Sequence, residues 1–179
     1  NIIKISNSKS LKKNFKTENN FNILDYNTMK KLFKNVSKPE VYYLAAYHHS
    51  SEQNSSKRGA YDLFNKSLDI HVKGLINVLD VILNENKNSK LFYASSSLVF
   101  SGNNSQFHNE KSPLNPIGAY AITKSTGNMI VREFRERYGV FCSTGILYNH
   151  ESGLRSQTFL TRRIIETAYR ISKGSKEKC

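Results

Sequence analysis

The feature of this sequence that most constrains its fold is the alternation of short, uninterrupted apolar runs with longer stretches of helical periodicity. Apolar runs typical of buried strands occupy residues 2–5, 21–24, 41–45, 91–94 and 140–148, with a Lys-, Asn- and Ser-rich loop between the first two. Helical patterns occupy residues 28–36, 61–83, 118–138 and 158–171. Gly139 follows the third of these helices and is expected to end it. This alternation predicts an α/β fold, a parallel sheet with helices on both faces.

The carboxyl ends of the predicted strands indicate where a ligand would bind. In parallel sheets of this kind, ligands lie beyond these ends. The predicted strands place residues 45–48, 95–98 and 148–151 at this edge, and a polar loop is predicted for residues 48–57. We therefore expect the chemically important side chains in these three segments or close to them.

Composition excludes several classes of function. The net charge of +13 would suit nucleic acid, anionic lipid or a phosphate-bearing ligand. The basic residues are spread along the chain and do not interleave with aromatic residues as in a nucleic-acid groove, so we interpret them as solvated surface. No apolar run reaches the roughly 20 residues of a membrane span, and no signal peptide is visible. Cys142 and Cys179 form neither a disulfide framework nor a metal cluster. We expect a cytoplasmic protein without a metal, nucleic-acid or membrane partner.

One pair of residues has the spacing of an acid/base site. Tyr120 and Lys124 are four residues apart on a predicted helix, so they share a face. A Lys ammonium near a phenol is expected to lower the pKa of the Tyr, which could then exchange a proton with a substrate hydroxyl or carbonyl. A hydroxyl from Ser95, Ser96 or Ser97, at the preceding strand end, could hold the same oxygen. The pair alone is also compatible with a surface Tyr and a solvated Lys.

Four longer segments give this pair a context. They are VYYLAA at residues 41–46, FYASSSLVFSG at 92–102, PLNPIGAYAITK at 113–124 and GILYNHESGLRSQTFLTRR at 145–163. The first three resemble motifs of the extended short-chain dehydrogenase/reductases that act on nucleotide sugars. The fourth closely resembles a segment of the GDP-mannose 4,6-dehydratases. The resemblance covers most of the chain, roughly residues 20–172.

This resemblance implies a Rossmann-like sheet, a cofactor and a substrate class. Residues 1–149 would be a partial NAD(P)-binding domain, and residues 150–179 the start of the substrate-binding part. The cofactor would be NADP, or NAD, and the substrate a nucleotide-diphosphate sugar, GDP-linked, that is oxidised at C4. Family members pair through the two long helices here at about 61–83 and 118–138, so a homo-oligomer is expected.

The resemblance also implies roles for individual residues. The catalytic residues would be Ser96, Tyr120 and Lys124. Asp25 and Tyr26 match a pair that lines the adenine pocket. The remaining positions are matched to the phosphates and ribose of the cofactor (Leu44, Ala45, Ala46, Tyr47, His48), to NADP contacts after the fifth strand (His150, Arg155) and to the substrate (Ser97, Asn149).

Three departures from the family pattern leave the reaction open. Leu98 stands where the dehydratases have a Glu that removes the proton beside the 4-keto group, and a Leu cannot do this. A 4-reductase or an epimerase, which needs only Ser96, Tyr120 and Lys124, is therefore the alternative. The nine glycines include no G-x-x-G-x-x-G cluster, so the first strand and its glycine loop are expected to be missing. The sequence also stops soon after Arg163, so most of the C-terminal substrate domain is expected to be missing. A non-catalytic remnant is therefore a further alternative. His71 replaces an Asn or Asp, which suggests a divergent substrate or a relaxed constraint.

Overall fold

The computed structural model describes residues 3–6, 16–19, 22–34, 36–47, 59–104, 107–157 and 159–176. The strands in these ranges are β1 (Ile3–Ser6), β2 (Lys16–Asn19), β3 (Glu40–Tyr43), β4 (Lys90–Ala94) and β5 (Cys142–Gly145). The helices are α1 (Tyr26–Lys34), α2 (Ala60–Leu68), α3 (Gly74–Glu85), α4 (Ala119–Tyr138) and α5 (Leu160–Ser172). Every strand pair in these ranges is parallel, which confirms the predicted α/β class with a parallel sheet.

The predicted strand at residues 21–24 is wrong. Residues 22–25 form a turn, in which Asn22 Oδ1 accepts a hydrogen bond from Leu24 N–H at 3.0 Å and the Asn22 carbonyl accepts one from Asp25 N–H at 2.9 Å. Asn favours such turns because its side chain competes for nearby backbone donors. The strand lies earlier, in the polar segment Lys16–Asn19 that was predicted to be a loop, and it pairs in parallel with β1.

The larger sheet has the strand order β3-β4-β5 and one strongly buried face. Tyr43 pairs with Tyr93 across β3 and β4, and their side chains are only 5% and 0% exposed. Side chains alternate between the two faces of a strand. Tyr42 and Leu44 accordingly belong to the other face, and they are 65% and 62% exposed.

Helices α3 and α4 lie close against the buried face of the sheet. A Cβ atom added to Gly74 of α3 would lie 2.8 Å from the Tyr43 hydroxyl oxygen. A Cβ atom added to Gly127 of α4 would overlap the Tyr93 hydroxyl. Glycine therefore permits the close approach at both positions. The surrounding core is aliphatic and aromatic, and its buried members from the helices include Met29, Phe33, Leu75, Val78, Leu79, Ile82 and Val131.

The long helix predicted for residues 61–83 is interrupted near its middle. A π-helical turn, Asp69–Lys73, joins α2 to α3, and Gly74 N–H donates to the Asp69 carbonyl five residues earlier. The Tyr43 hydroxyl donates to the carbonyl of Ile70 within this turn. Such turns are rare and occur frequently at functional sites. Helix α4 matches its prediction closely, and Gly139 at its end has a φ of +68°, which confirms the predicted glycine cap.

The chain divides by its internal contacts into residues 1–146 and residues 147–179. In the second unit, α5 exposes apolar side chains at Ile164, Ile165 and Tyr169, with 51%, 62% and 65% of their surface accessible. The boundary at residue 149 that the sequence suggested stays a prediction. No helix in the described part of the chain is long and apolar enough to cross a membrane.

Candidate active site

Ser96 follows β4 and begins a 3₁₀ turn, Ser97–Phe100, at the carboxyl end of the sheet. Its Oγ accepts a hydrogen bond from Leu98 N–H at 3.2 Å. The Ser96 hydroxyl hydrogen can therefore point to the phenol oxygen of Tyr120, with which Ser96 is hydrogen-bonded. Ser95 is buried, and its hydroxyl has no hydrogen-bond partner among the described residues, while Ser97 is half-buried. Ser96 is thus the serine that the fold brings to Tyr120.

A set of hydrogen bonds in the loop before α4 determines where Tyr120 lies. Gly102 N–H donates to the Asn115 carbonyl at 2.7 Å, and Asn115 Nδ2 donates back to the Gly102 carbonyl at 2.8 Å. Ser101 Oγ accepts from Ile117 N–H at 2.9 Å. Gly118 then has a φ of +87°, a conformation that favours glycine, and α4 begins at the next residue. The loop after β4 is in this way tied to the segment that starts the Tyr120 helix.

Lys124 lies one helical turn after Tyr120 and is only 1% exposed. Its Nζ donates to the Ala94 carbonyl, at the end of β4, over 2.8 Å. The same Nζ lies 5.8 Å from the centre of the Tyr120 ring and 5.0 Å from that of Tyr93. The structure therefore brings Ser96, Tyr120 and Lys124 together, and their catalytic roles stay a prediction.

The pKa of Tyr120 moves in the direction opposite to the one expected from the sequence. Burial raises the pKa of the phenol, and the hydrogen bond with Ser96 opposes this only in part. Burial also lowers the pKa of the neighbouring Lys124, to about 8. Near neutral pH the buried phenol is consequently protonated, the form that can donate a proton to a carbonyl oxygen.

His71 and Thr123 join the site, although the sequence assigned neither of them a catalytic or binding role. His71 is 0% exposed, and its ring meets that of Tyr120 edge-on at 5.2 Å between centres. His71 Nδ1 lies 2.7 Å from Thr123 Oγ1, and Nε2 accepts from Tyr47 N–H at 2.9 Å. The sequence signal that could have indicated them is a polar side chain within a predicted helix, His71 in the helix at residues 61–83 and Thr123 in the helix at residues 118–138.

The strand end after β3 offers small and partly open positions. Ala46 and Leu44 are exposed, and Ala45 and Tyr47 are half-buried. His48 and the predicted loop at residues 48–57 lie outside the described residues. The proposed contacts of residues 44–47 with a cofactor stay predictions.

Asp25 and Tyr26 have structural partners of their own. The Asp25 carboxylate caps α1 by accepting from Thr28 N–H at 3.2 Å and from Thr28 Oγ1 at 2.6 Å, and these bonds lower the pKa of Asp25. The Tyr26 hydroxyl is hydrogen-bonded to Asp80, which raises the pKa of that phenol. Their predicted place in an adenine pocket is not tested by these contacts.

Two of the three predicted site residues of the second unit contact neighbours within that unit. His150 is exposed, and its Nδ1 donates to the Tyr148 carbonyl at 2.8 Å. The Arg155 guanidinium carbon lies 3.8 Å from the centre of the Phe159 ring, and Arg155 Nε lies 3.6 Å from Glu151 Oε2. Asn149 is exposed. In the described part of the chain, no three His, Cys, Asp or Glu side chains are grouped to hold a metal ion.

Comparison with known proteins shows the family of this chain. A sequence model of the family described as GDP-mannose 4,6 dehydratase matches residues 1–179. The chain belongs to the GDP-mannose 4,6-dehydratase family. The GDP-mannose 4,6-dehydratase of Vibrio cholerae is 31% identical over 159 residues, which cover 88% of this chain and 41% of that relative. GDP-mannose 4,6 dehydratase 2 of Caenorhabditis elegans is 32% identical over 155 residues, covering 86% and 39%. The chain thus spans about two fifths of the length of these curated relatives.

Solved structures confirm the Rossmann-like fold of this member of the family. A UDP-galactose 4-epimerase superposes with a TM-score of 0.70 at 21% identity, covering 94% of this chain and 54% of that one. DesIV, a dTDP-glucose 4,6-dehydratase from Streptomyces venezuelae with NAD and TYD bound, gives 0.70 at 18% identity, with 86% and 45% covered.

Proposed function

We propose that this chain forms the catalytic centre of an NADP- or NAD-dependent enzyme that oxidises a GDP-linked hexose at C4, as the first step of a 4,6-dehydration. The observation that carries this proposal is the meeting of Ser96, Tyr120 and Lys124 at the carboxyl end of β4. Membership of the GDP-mannose 4,6-dehydratase family supports the choice of substrate. The free, buried thiol of Cys142 supports a reducing, cytoplasmic setting.

The residues of the site fit the nicotinamide-ribose part of a dinucleotide. Tyr120 places a hydroxyl group, and the buried Lys124 an ammonium group, beside the strand end of β4, and both are donors that suit a ribose hydroxyl. The small side chain of Ala46 leaves its strand end open to a bulky ligand. When bound, the cofactor accepts a hydride from sugar C4. The described residues contain no glycine cluster for its pyrophosphate, so the fit is limited to this part of the molecule.

Tyr120 is the residue proposed to move the proton. For oxidation at C4, the phenolate form of Tyr120 takes the proton of the 4-hydroxyl group while Ser96 donates a hydrogen bond to the same oxygen. For reduction of a ketone, the protonated phenol returns that proton. Because burial raises the pKa of Tyr120, the proton-donating form prevails at neutral pH in the free protein. Positive charge brought close by a ligand would shift the balance toward the phenolate.

Variants of the three residues test the proposal. Tyr120→Phe in the full chain is expected to lower turnover of GDP-mannose with NADP by at least about 100-fold, since a positioned acid/base contributes that much. Tyr138→Phe is the matched control, because Tyr138 lies at the far end of α4 and is 48% exposed. Mass spectrometry of the sugar nucleotide measures the product. Unchanged turnover in Tyr120→Phe would contradict the proposal.

Leu98 favours a second candidate, a 4-keto-sugar reductase or epimerase. Leu98 is 44% exposed and lies two residues after Ser96, where the resemblance places the Glu of the dehydratases. An aliphatic side chain cannot remove the proton beside a 4-keto group. Leu98→Glu is then expected to release a 4-keto-6-deoxy product that the wild type does not make, whereas Leu98→Gln should not. If the wild type already makes this product, the reductase or epimerase reading is wrong.

Cofactor binding separates an enzyme from a non-catalytic remnant. We expect NADPH to bind the full chain with a Kd below about 1 μM, or about −8 kcal/mol. A fluorescence titration of bound NADPH measures this value directly. Binding weaker than about 1 mM would favour a remnant that keeps the sheet and has lost the ligand.

We propose further that two copies of the chain pair through helices α2, α3 and α4. These helices carry several partly exposed apolar side chains, Phe64, Leu68, Ile76, Ile122 and Met129. Pairing would remove this apolar surface from water. Met129→Lys is expected to shift the protein toward monomer in sedimentation-velocity experiments, and Met129→Leu is the control. A wild-type protein that stays monomeric at high concentration would contradict the pairing.

A further inference from the structure

His71 lies at a junction between three elements of the first unit. It belongs to the π-helical turn between α2 and α3 and is fully buried. Its ring reaches the backbone after β3 on one side and the second turn of α4 on the other. A polar side chain in such a position costs free energy unless its ring nitrogens are hydrogen-bonded, and both have partners here.

The hydrogen bonds define the form of the imidazole. Tyr47 N–H can only donate, so His71 Nε2, 2.9 Å away, must be the unprotonated nitrogen. In the neutral ring Nδ1 then carries the hydrogen and donates to Thr123 Oγ1 over 2.7 Å. The Thr123 hydroxyl in turn donates to the Ala119 carbonyl at 2.7 Å. A directed chain of hydrogen bonds therefore runs from the strand end at Tyr47 to the start of α4.

The same ring also contacts the phenol ring of Tyr120. The two ring centres are 5.2 Å apart with an interplanar angle of 90°, an edge-to-face arrangement of the kind aromatic pairs favour. Thr123 lies three residues after Tyr120, and its Oγ1 is 3.1 Å from the Tyr120 carbonyl. Both the side chain and the backbone of Tyr120 thus depend on where His71 sits.

We propose that His71, as the neutral imidazole protonated on Nδ1, is a positioning residue. It fixes the position of the backbone at Tyr47, after β3, relative to the phenol of Tyr120. The proposal rests on the proposed function, in which the strand end meets the cofactor and Tyr120 moves the proton. Hydride and proton leave the same carbon–oxygen unit of the sugar, so the two partners must be aligned with each other. His71 bonds to both the Tyr47 backbone and the Thr123 side chain.

A histidine is suited to connect Tyr47 with Thr123 because of where its two nitrogens lie. An imidazole has its two nitrogens on opposite edges of a rigid ring, so it can accept from one element and donate to another. A Phe would keep the edge-on contact with Tyr120 and lose both hydrogen bonds. A Gln has an amide that can also accept and donate, although its chain is flexible, so His71→Gln is the conservative variant.

Three variants in the full chain test the proposal. His71→Phe is expected to raise the Kd for NADPH about tenfold, the effect of losing one or two hydrogen bonds that align a binding segment, and to lower kcat as well. His71→Gln should recover most of both losses. Thr123→Val, which removes one bond of the chain and keeps the shape, should lower kcat with a smaller change in Kd. His108→Phe is the matched control, since His108 stacks on Phe100 in another loop.

Two measurements do not depend on the cofactor. Nitrogen-15 NMR of the imidazoles should show His71 protonated on Nδ1 alone, and amide exchange at Tyr47 should be protected in the wild type and faster in His71→Phe. These readouts decide whether the bridge exists even if the wild type binds no NADPH, a result that would refute the proposed function instead. An Nε2-protonated ring, unprotected Tyr47 exchange, or a folded His71→Phe with Kd and kcat within twofold of wild type would overturn the proposal.

Discussion

The buried ammonium of Lys124 makes the stability of this protein depend on pH in a predictable direction. Burial lowers the pKa of Lys124 from 10.5 to about 8, so the folded chain releases this proton more readily than the unfolded chain. Where the unfolded state binds more protons, stability rises with pH. The contribution of Lys124 to the free energy of unfolding is therefore smallest below pH 8, and it grows until the pH reaches about 10.5. For these two pKa values, the gain between pH 7.5 and 9.5 is about 2 kcal/mol.

Lys124→Met isolates this effect because Met has a similar length and no charge. The free energy of unfolding, measured by urea denaturation at a series of pH values, should rise for the wild type relative to Lys124→Met by about 2 kcal/mol across this range. Groups other than Lys124 titrate in both proteins and cancel in the difference. At pH 7.5 the variant loses the bond to the Ala94 carbonyl but also relieves a buried charge, so the two proteins should differ little. Parallel pH profiles for the two proteins would refute the reasoning.

Two glycines and one helix cap give further predictions. Gly127→Ala should destabilise the chain by about 1–3 kcal/mol through overlap with the buried Tyr93 hydroxyl, while Gly153→Ala, in open space, should stay within about 0.5 kcal/mol; thermal unfolding compares them. Gly118→Ala should lower the stability of the folded chain by about 1–2 kcal/mol because its φ is +87°. It should also lower turnover by displacing Tyr120. A variant with wild-type stability and turnover would contradict this. Asp25→Asn should weaken α1, and the wild type should lose this stabilisation as acid protonates Asp25; identical acid denaturation of both proteins would show that the cap contributes nothing.

The sequence predicted the parts of the fold that depend on hydrophobic pattern. Strands β3 and β4 and helix α4 were located within a residue or two, because continuous apolar runs and a glycine cap are local signals. Strand β2, with the composition KTEN, carries no such signal, and its backbone pairing with β1 was missed. The turn at residues 22–25 was mistaken for a strand because Asn22 interrupts the run through its own hydrogen bonds.

The site was predictable in its members and less so in its electrostatics. Spacing placed Tyr120 and Lys124 on one face, and the strand end placed Ser96 near them. The direction of the Tyr120 pKa shift was wrong because it depends on burial, which a spacing does not reveal. The bridge through His71 and Thr123 was missed for a similar reason, since these residues are 52 positions apart and meet only in the fold.

The π-helical turn at Asp69–Lys73 determines where the helical segment formed by α2 and α3 can lose a residue. A π-helical turn accommodates one residue more than the α-helical turn it resembles. Loss of a single residue there can be absorbed by a return to α-helical winding, with Phe64 and Ile76 kept on their present faces. The same deletion inside α3 would rotate every later side chain by about 100°, turning apolar residues such as Leu79 away from the sheet. The turn is therefore a point at which the loss of one residue would leave the packing of α2 and α3 intact.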